Sequence, residues 1–262
     1  MKTCLLVLCL GLLAVRVAAH EAEERIYARV SAEIAAQPQD AALWVRRAAL
    51  CLEMRDWQAC LTDLERAERL GEMDLELLRA RALVCGKHFE HALAVLRPLE
   101  QHAGSLRLRA QTQAALKNFA QAAVDAEKVL QLTPRPEPDD YLECAGFLCQ
   151  AGRPADALAM LDRAPQTIVI VERAMPLEKP AAALRRLDAL IATSQVKEPL
   201  LAKKAVFLAQ NGREADSAAA WRTLAERITA LPPQARGSHA MSKLAQQAHH
   251  ALAALQHTHS TP

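Results

Sequence analysis

The side chains best suited to chemistry in this chain fall in one heptapeptide, Cys85-Gly86-Lys87-His88-Phe89-Glu90-His91. One thiol and two imidazoles are acceptable ligand types for zinc or copper. The spacing of Cys85, His88 and His91 matches no defined site, however. Phe89 belongs in a core, and a turn is an ordinary place for solvated histidines. A metal-handling protein therefore stands as the alternative reading, and the main reading has no metal and no cofactor. His239, His249, His250, His257 and His259 make the C-terminal end histidine-rich, which is a compositional signal only. No G-x-S-x-G elbow, phosphate loop, H-E-x-x-H helix or dinucleotide fingerprint occurs, and no Ser–His spacing singles out a nucleophile with its base. Asp139-Asp140 opens a helix, where the N-terminal dipole favours negative charge without catalysis. The expectation is a chain that is not an enzyme.

The first residues read as an address. Lys2 precedes an apolar run from Leu5 to Val15, and Val17-Ala18-Ala19 places small residues before a cleavage point. That is the pattern of a secretory leader over residues 1–19; a membrane span needs roughly 20 apolar residues, and Arg16 ends this run early. Cleavage after Ala19 would leave His20 as the first residue, and its amine and ring could reach copper, although chance explains it better. The chain holds 32 Lys+Arg and 30 Asp+Glu, and the leader takes Lys2 and Arg16, leaving 30 of each sign. A neutral remainder offers no basic excess for phosphate, so nucleic acid is not an expected partner. Nothing beyond the leader is long and apolar enough to cross a membrane. Five cysteines remain (Cys51, Cys60, Cys85, Cys144 and Cys149), an odd number for an exported chain. Cys51 and Cys60 lie on facing helices where a disulfide is conceivable, but small buried core residues are the better reading.

Those residues must be positioned by something, and the chain shows what. Six turns recur: Arg55-Asp56-Trp57, Lys87-His88-Phe89, Lys117-Asn118-Phe119, Gly152-Arg153-Pro154, Glu178-Lys179-Pro180 and Gly212-Arg213-Glu214. Successive turns are spaced by 32, 30, 35, 26 and 34 residues. Three residues after each triplet stands Cys60, Ala92, Ala122, Ala157, Ala183 or Ser217. Nine before each triplet's last member stands Ala48, Ala80, Ala110, Ala145, Val171 or Ala205. Periods of this length mean tandem helical hairpins, and small residues at fixed places let two helices approach closely. Ahead of them, Ile26, Val30 and Ile34 mark one face of a helix within 20–40.

With these residues in hand, the chain resembles the tetratricopeptide repeat family over approximately residues 41–231. Trp44, Ala48, Asp56-Trp57, Cys60 and Ala67 occupy the helix-packing positions of the first unit, and Pro134 is the closing proline of the third. The resemblance implies an all-α, right-handed solenoid of about six hairpins. The fifth is degenerate, because Thr167 to Val171 is a β-branched stretch of poor helix propensity, which predicts a shortened or bent first helix. After Pro232-Pro233, Leu244, Ala248, Ala251, Leu252 and Leu255 form the apolar side of a capping helix within 232–256, leaving 257–262 as a mobile tail.

The resemblance also implies a function. In the family, the first helix of each hairpin (helix A) lines a groove for peptides or partner helices. By register those positions here are Val45, Ala49, Leu77, Arg81, Val84, Arg107, Gln111, Leu142, Cys149 and Val206, with Ala114, Gly146, Ala202 and Ala209 between them. The family's variant that grips a C-terminal carboxylate does so through Lys and Asn, and Val45 and Ala49 cannot donate to an anion. The expectation is therefore a scaffold or assembly adaptor exported to a bacterial periplasm, taking a protein or peptide in that groove.

Overall fold

The computed structural model describes residues 23–258, with side chains to 254. Residues 1–19, His20, His259 and the end of the tail lie outside that range. Every regular element among the described residues is helical. The chain divides into two compact units at Pro136/Glu137. The first unit holds α1 (23–36), α2 (Ala41–Glu53), α3 (Trp57–Arg69), α4 (Glu76–Cys85), α5 (Phe89–Leu96), α6 (Ala103–Ala115) and α7 (Phe119–Leu132). The second holds α8 (Pro138–Gln150), α9 (Pro154–Arg163), α10 (Ile168–Ala174), α11 (Pro180–Thr193), α12 (Glu198–Gln210), α13 (Glu214–Ala230), α14 (Pro233–Arg236) and α15 (His239–Thr258). Pairs α2–α3, α4–α5, α6–α7, α8–α9 and α12–α13 are closely packed hairpins.

One contact builds each hairpin. Ala48, Cys60, Ala80, Ala92, Ala110, Ala122, Ala145, Ala157, Val171, Ala183, Ala205 and Ser217 are all at 0% exposure. The recurring small positions are thus the points of closest approach, and side chains such as Leu64, Leu148, Leu161 and Leu224 fill the space around them. In the sixth hairpin the Ser217 hydroxyl donates to the Ala205 carbonyl at 2.8 Å, a bond directly between the two small positions.

The turns are equally uniform. Arg55, Lys87, Lys117, Gly152 and Gly212 all have φ between 61° and 75°. Each follows a helix end and donates three residues back, while the next residue donates five back (Asp56 N–H to the Cys51 carbonyl, His88 to Leu83, Asn118 to Gln113, Arg153 to Leu148, Arg213 to Leu208), at 2.8 to 2.9 Å. This double bond pattern with a left-handed residue satisfies the last carbonyls of the first helix. The residue after it already caps the second helix, and Asp56 shows how: its carboxylate accepts from Ala59 N–H at 3.0 Å. Gly86 answers to a different constraint, since a Cβ there would lie 2.7 Å from the Trp57 ring.

The fifth hairpin breaks the pattern. α10 is seven residues long, against 13 for α2, α6, α8 and α12, and passes into a 3-10 turn at Met175–Leu177. The β-branched run and Pro176 account for that shortening. Its turn lacks the left-handed residue, because Glu178 sits at φ −109°. Arg186 ties the region together instead, bonding Glu178 at 2.6 Å and Asp162 at 2.5 Å.

Two ion pairs anchor the first unit. Arg47 clamps Asp63 at 2.8 and 2.7 Å, and Arg109 clamps Asp125 at 2.7 Å through both nitrogens. Both span 16 residues within a hairpin, and both aspartates are buried. The hydrogen-bonded carboxylates hold both guanidinium pKa values above their usual range. Sequence reasoning missed these pairs, although Arg47 and Arg109 precede the small residue by one position and Asp63 and Asp125 follow its partner by three.

Lys117→Gly, which relieves the left-handed strain of a side-chain-bearing residue, is expected to raise stability by roughly 0.5–1 kcal/mol in denaturant titration. Gly152→Ala, whose Cβ meets nothing within 4 Å, should cost about 1 kcal/mol from backbone strain alone. Asp125→Ala is expected to cost on the order of 3 kcal/mol, because it strands a mostly buried guanidinium. Glu68→Ala, which breaks the more exposed pair with Arg79, should cost under about 1 kcal/mol in the same assay.

Candidate functional site

The heptapeptide with the best metal ligands ends α4 and begins α5. The Cys85 thiol faces the Arg55 carbonyl at 4.0 Å. The His88 ring stands edge-on to Trp57, 4.8 Å between centroids, and His91 stacks on the outer side of His88 at 6.2 Å. His249 and His250 are exposed neighbours on α15, 6.1 Å apart. Among the described residues no three His, Cys, Asp or Glu side chains converge as a metal-binding group.

Cys51, Cys60 and Cys144 are buried, and Cys85 and Cys149 are half-buried. Burial, then the nearby Asp63 carboxylate, pushes the Cys51 thiol up to about 11. Burial and the neighbouring Cys51 push Cys60 to about 12. These are core side chains held in their neutral form.

On the A helices of the first unit, Ala49, Arg81 and Gln111 are exposed, while Val45, Leu77, Val84 and Arg107 are half-buried. α2 touches α4, and α4 touches α6, so these positions sit on neighbouring helices. In the second unit Leu142 and Cys149 are half-buried on α8, and Arg173 reaches across from α10 to the surface of Gly146. Val206 is different. It is 44% exposed and lines a cleft of about 1080 Å³.

Three walls form that cleft. α12 contributes Pro199, Ala202, Lys203, Val206, Phe207 and Gln210. The end of α10 and the 3-10 turn contribute Glu172, Met175 and Pro176, and α15 contributes Lys243, Leu244, Gln246, Gln247 and His250. Trp221 of α13, 5% exposed, closes the floor. An ion pair between Lys203 and Glu172 bridges α12 to α10, and burial of Lys203 lowers the pKa of its ammonium. α15 is held in place by Met241, Leu244, Ala245, Ala248, Ala251 and Leu252, which pack on the core of α12 and α13. A concave, mostly apolar site with a few polar groups at its edge is suited to burying one face of a ligand and orienting it. The sequence register found Val206 and Ala202 here. It missed Met175, Phe207, Trp221 and the whole α15 wall. The spacing of Pro199, Lys203, Val206 and Gln210 on α12 was a readable signal for one wall; nothing local marked the others.

A second, polar hollow of about 530 Å³ lies between α5, α6 and α7, where Glu100 sits 3.9 Å from Arg109 and 3.8 Å from Lys128. Its charges are balanced within the fold.

Helix pairs closing on small residues at these positions, with one turn geometry in five of six, settle the architecture. The described residues form an all-α array of tandem helical hairpins, an arrangement similar to that of tetratricopeptide repeats. No protein-family model matches the chain, and no curated protein matches it. Solved structures with a similar arrangement include a tetratricopeptide repeat protein from Parabacteroides merdae, 14% identical, covering 88% of this chain and 94% of that one at a TM-score of 0.49. The C-terminal part of a tetratricopeptide repeat-containing protein from Cytophaga hutchinsonii is also 14% identical, covering 90% and 92% at 0.49. YrrB, described as a tetratricopeptide repeat protein with an unusual peptide-binding site, is 12% identical, covering 83% and 97% at 0.37. These likenesses concern the fold alone.

Thiol chemistry offers a direct check on the core. Iodoacetamide at pH 8 is expected to label Cys85 and Cys149 in the folded chain and to reach Cys51, Cys60 and Cys144 only after denaturation. In the unfolded chain the Cys51 and Cys60 thiols ionise near their ordinary value of 9.0, whereas the fold keeps them protonated to about 11 and 12. Their contribution is therefore complete below pH 9 and lost as pH climbs toward 11 to 12, so unfolding free energy should fall across that window. Cys51→Ala/Cys60→Ala should flatten the decline.

Proposed function

We propose that this chain is a non-catalytic protein-interaction scaffold or assembly adaptor of the bacterial cell envelope, and that it holds a segment of a partner protein against its A helices. The apolar cleft around Val206 is the observation that carries this reading. An exposed valine flanked by Met175, Phe207 and Leu244 is poorly served by water and well served by a partner's apolar side chain. Absence of recognisable catalytic spacing and the balanced charge support a binding role over an enzymatic or nucleic-acid one. The leader-like first 19 residues support export, and no described helix is long and apolar enough to cross a membrane.

The test compares the chain, Val206→Asp and Val124→Asp as baits in envelope extracts. Val124 is 39% exposed on α7, outside the proposed surface, and each change should alter stability by no more than about 0.5 kcal/mol. Partners recovered by the chain and by Val124→Asp should drop at least tenfold with Val206→Asp. Equal recovery by all three baits would remove the cleft from the proposal.

A further inference from the structure

The cleft exists because a helix is short. α10 has six fewer residues than α12 or α8, so about 9 Å of A helix is missing at the place where the fifth hairpin should flank the sixth. α10 packs on α8, α9 and α11, and it reaches α12 through the cluster of Val171 and Leu200 and through the Glu172–Lys203 ion pair. α12 is left presenting Pro199, Lys203, Val206 and Gln210 to the cleft, at i, i+4, i+7 and i+11. That is the spacing of a seam made to meet another helix, and it runs for about 16 Å. The facing wall repeats the pattern, with Lys243, Gln247 and His250 at i, i+4 and i+7 on α15.

The floor decides between a helical and an extended occupant. An extended segment alternates its side chains with a period of two and brings unpaired N–H and C=O groups with it. Ala202, Val206 and Phe207 offer those groups no side-chain partner, Trp221 has a single indole N–H to give, and the glutamines stand at the edge. A helix satisfies its own backbone and can lay an apolar stripe on that floor. Charge specifies the edge of the helix. The cleft carries two lysines against one glutamate, Glu172 already answers Lys203, and Lys243 is exposed with no ion-pair partner among the described residues.

Building on the cleft as a partner site, we propose that its occupant is an amphipathic helix of about three turns, supplied by another protein, with its apolar stripe on Ala202, Val206 and Trp221 and an acidic side chain at Lys243. The occupant stands in for the turns that α10 lacks.

The probes are three labelled, end-blocked 15-residue peptides measured by fluorescence anisotropy against the chain. One is an amphipathic helix with leucine and alanine on one face and glutamate on the other. The second carries lysine for every glutamate, and the third carries two central prolines that forbid a helix. The glutamate helix should bind at least tenfold more tightly than either of the others. Val206→Asp should weaken it at least tenfold, and Lys243→Glu should reverse the order of the glutamate and lysine peptides. Equal binding of the proline peptide, or no binding of the glutamate helix, overturns the helical occupant. If Val206→Asp abolishes recovery of partners from extracts while the peptides show no helical preference, the partner site stands and this inference falls. A change in the chain's own oligomeric state on Val206→Asp, seen by analytical ultracentrifugation, would make a second copy the occupant and also overturn it.

Discussion

Everything in this molecule follows from how near two helices can come when neither carries a bulky side chain at the crossing. Twelve positions, two per hairpin, have no exposure at all, and eleven of them are alanine, cysteine or serine small enough to let backbones approach, with Val171 the largest. Close approach in turn demands a short connection. The left-handed residue and the shared cap deliver it, because one residue ends the first helix and the next begins the second. The leucines then pack around the crossing and not within it. A larger residue at any of these points would push the pair apart and lengthen every turn bond that depends on it.

Polar chemistry is used inside the fold to fix geometry. Asp63 and Asp125 are buried, yet each accepts two bonds from one guanidinium, so neither is an unpaired charge. Arg186 does related work in the fifth hairpin, where the ordinary turn is lost. No buried side-chain nitrogen or oxygen among the described residues lacks a hydrogen-bond partner. The Cys51 and Cys60 thiols are neutral packing groups. The exposed faces include the apolar cleft of the second unit.

That cleft lies where the repeat fails. Thr167 to Val171 resists helix formation, Pro176 forbids continuation, and α10 stops after seven residues. A regular hairpin would have filled the space beside α12. The irregular one leaves about 1080 Å³ bordered by α15, which is itself pinned by its contacts with α12 and α13. Departure from the pattern is thus where the cleft arises.

The hairpins, their crossing residues, the turns and the shortened fifth unit were legible in the amino-acid sequence, because each depends on residues within one or two helical turns of each other. Small side chains at fixed spacing, helix-breaking prolines and β-branched runs act locally and leave local marks. The Arg47–Asp63 and Arg109–Asp125 pairs were legible in principle, as they recur at equivalent repeat positions, but only a known hairpin crossing shows that the partners 16 residues apart meet. The far wall of the cleft was decided by tertiary structure alone. Lys243 and Leu244 come to face Val206 and Met175 only because α15 turns back onto α12 and α13. No short-range preference encodes that return; it is set by where the apolar side of the last helix finds uncovered core.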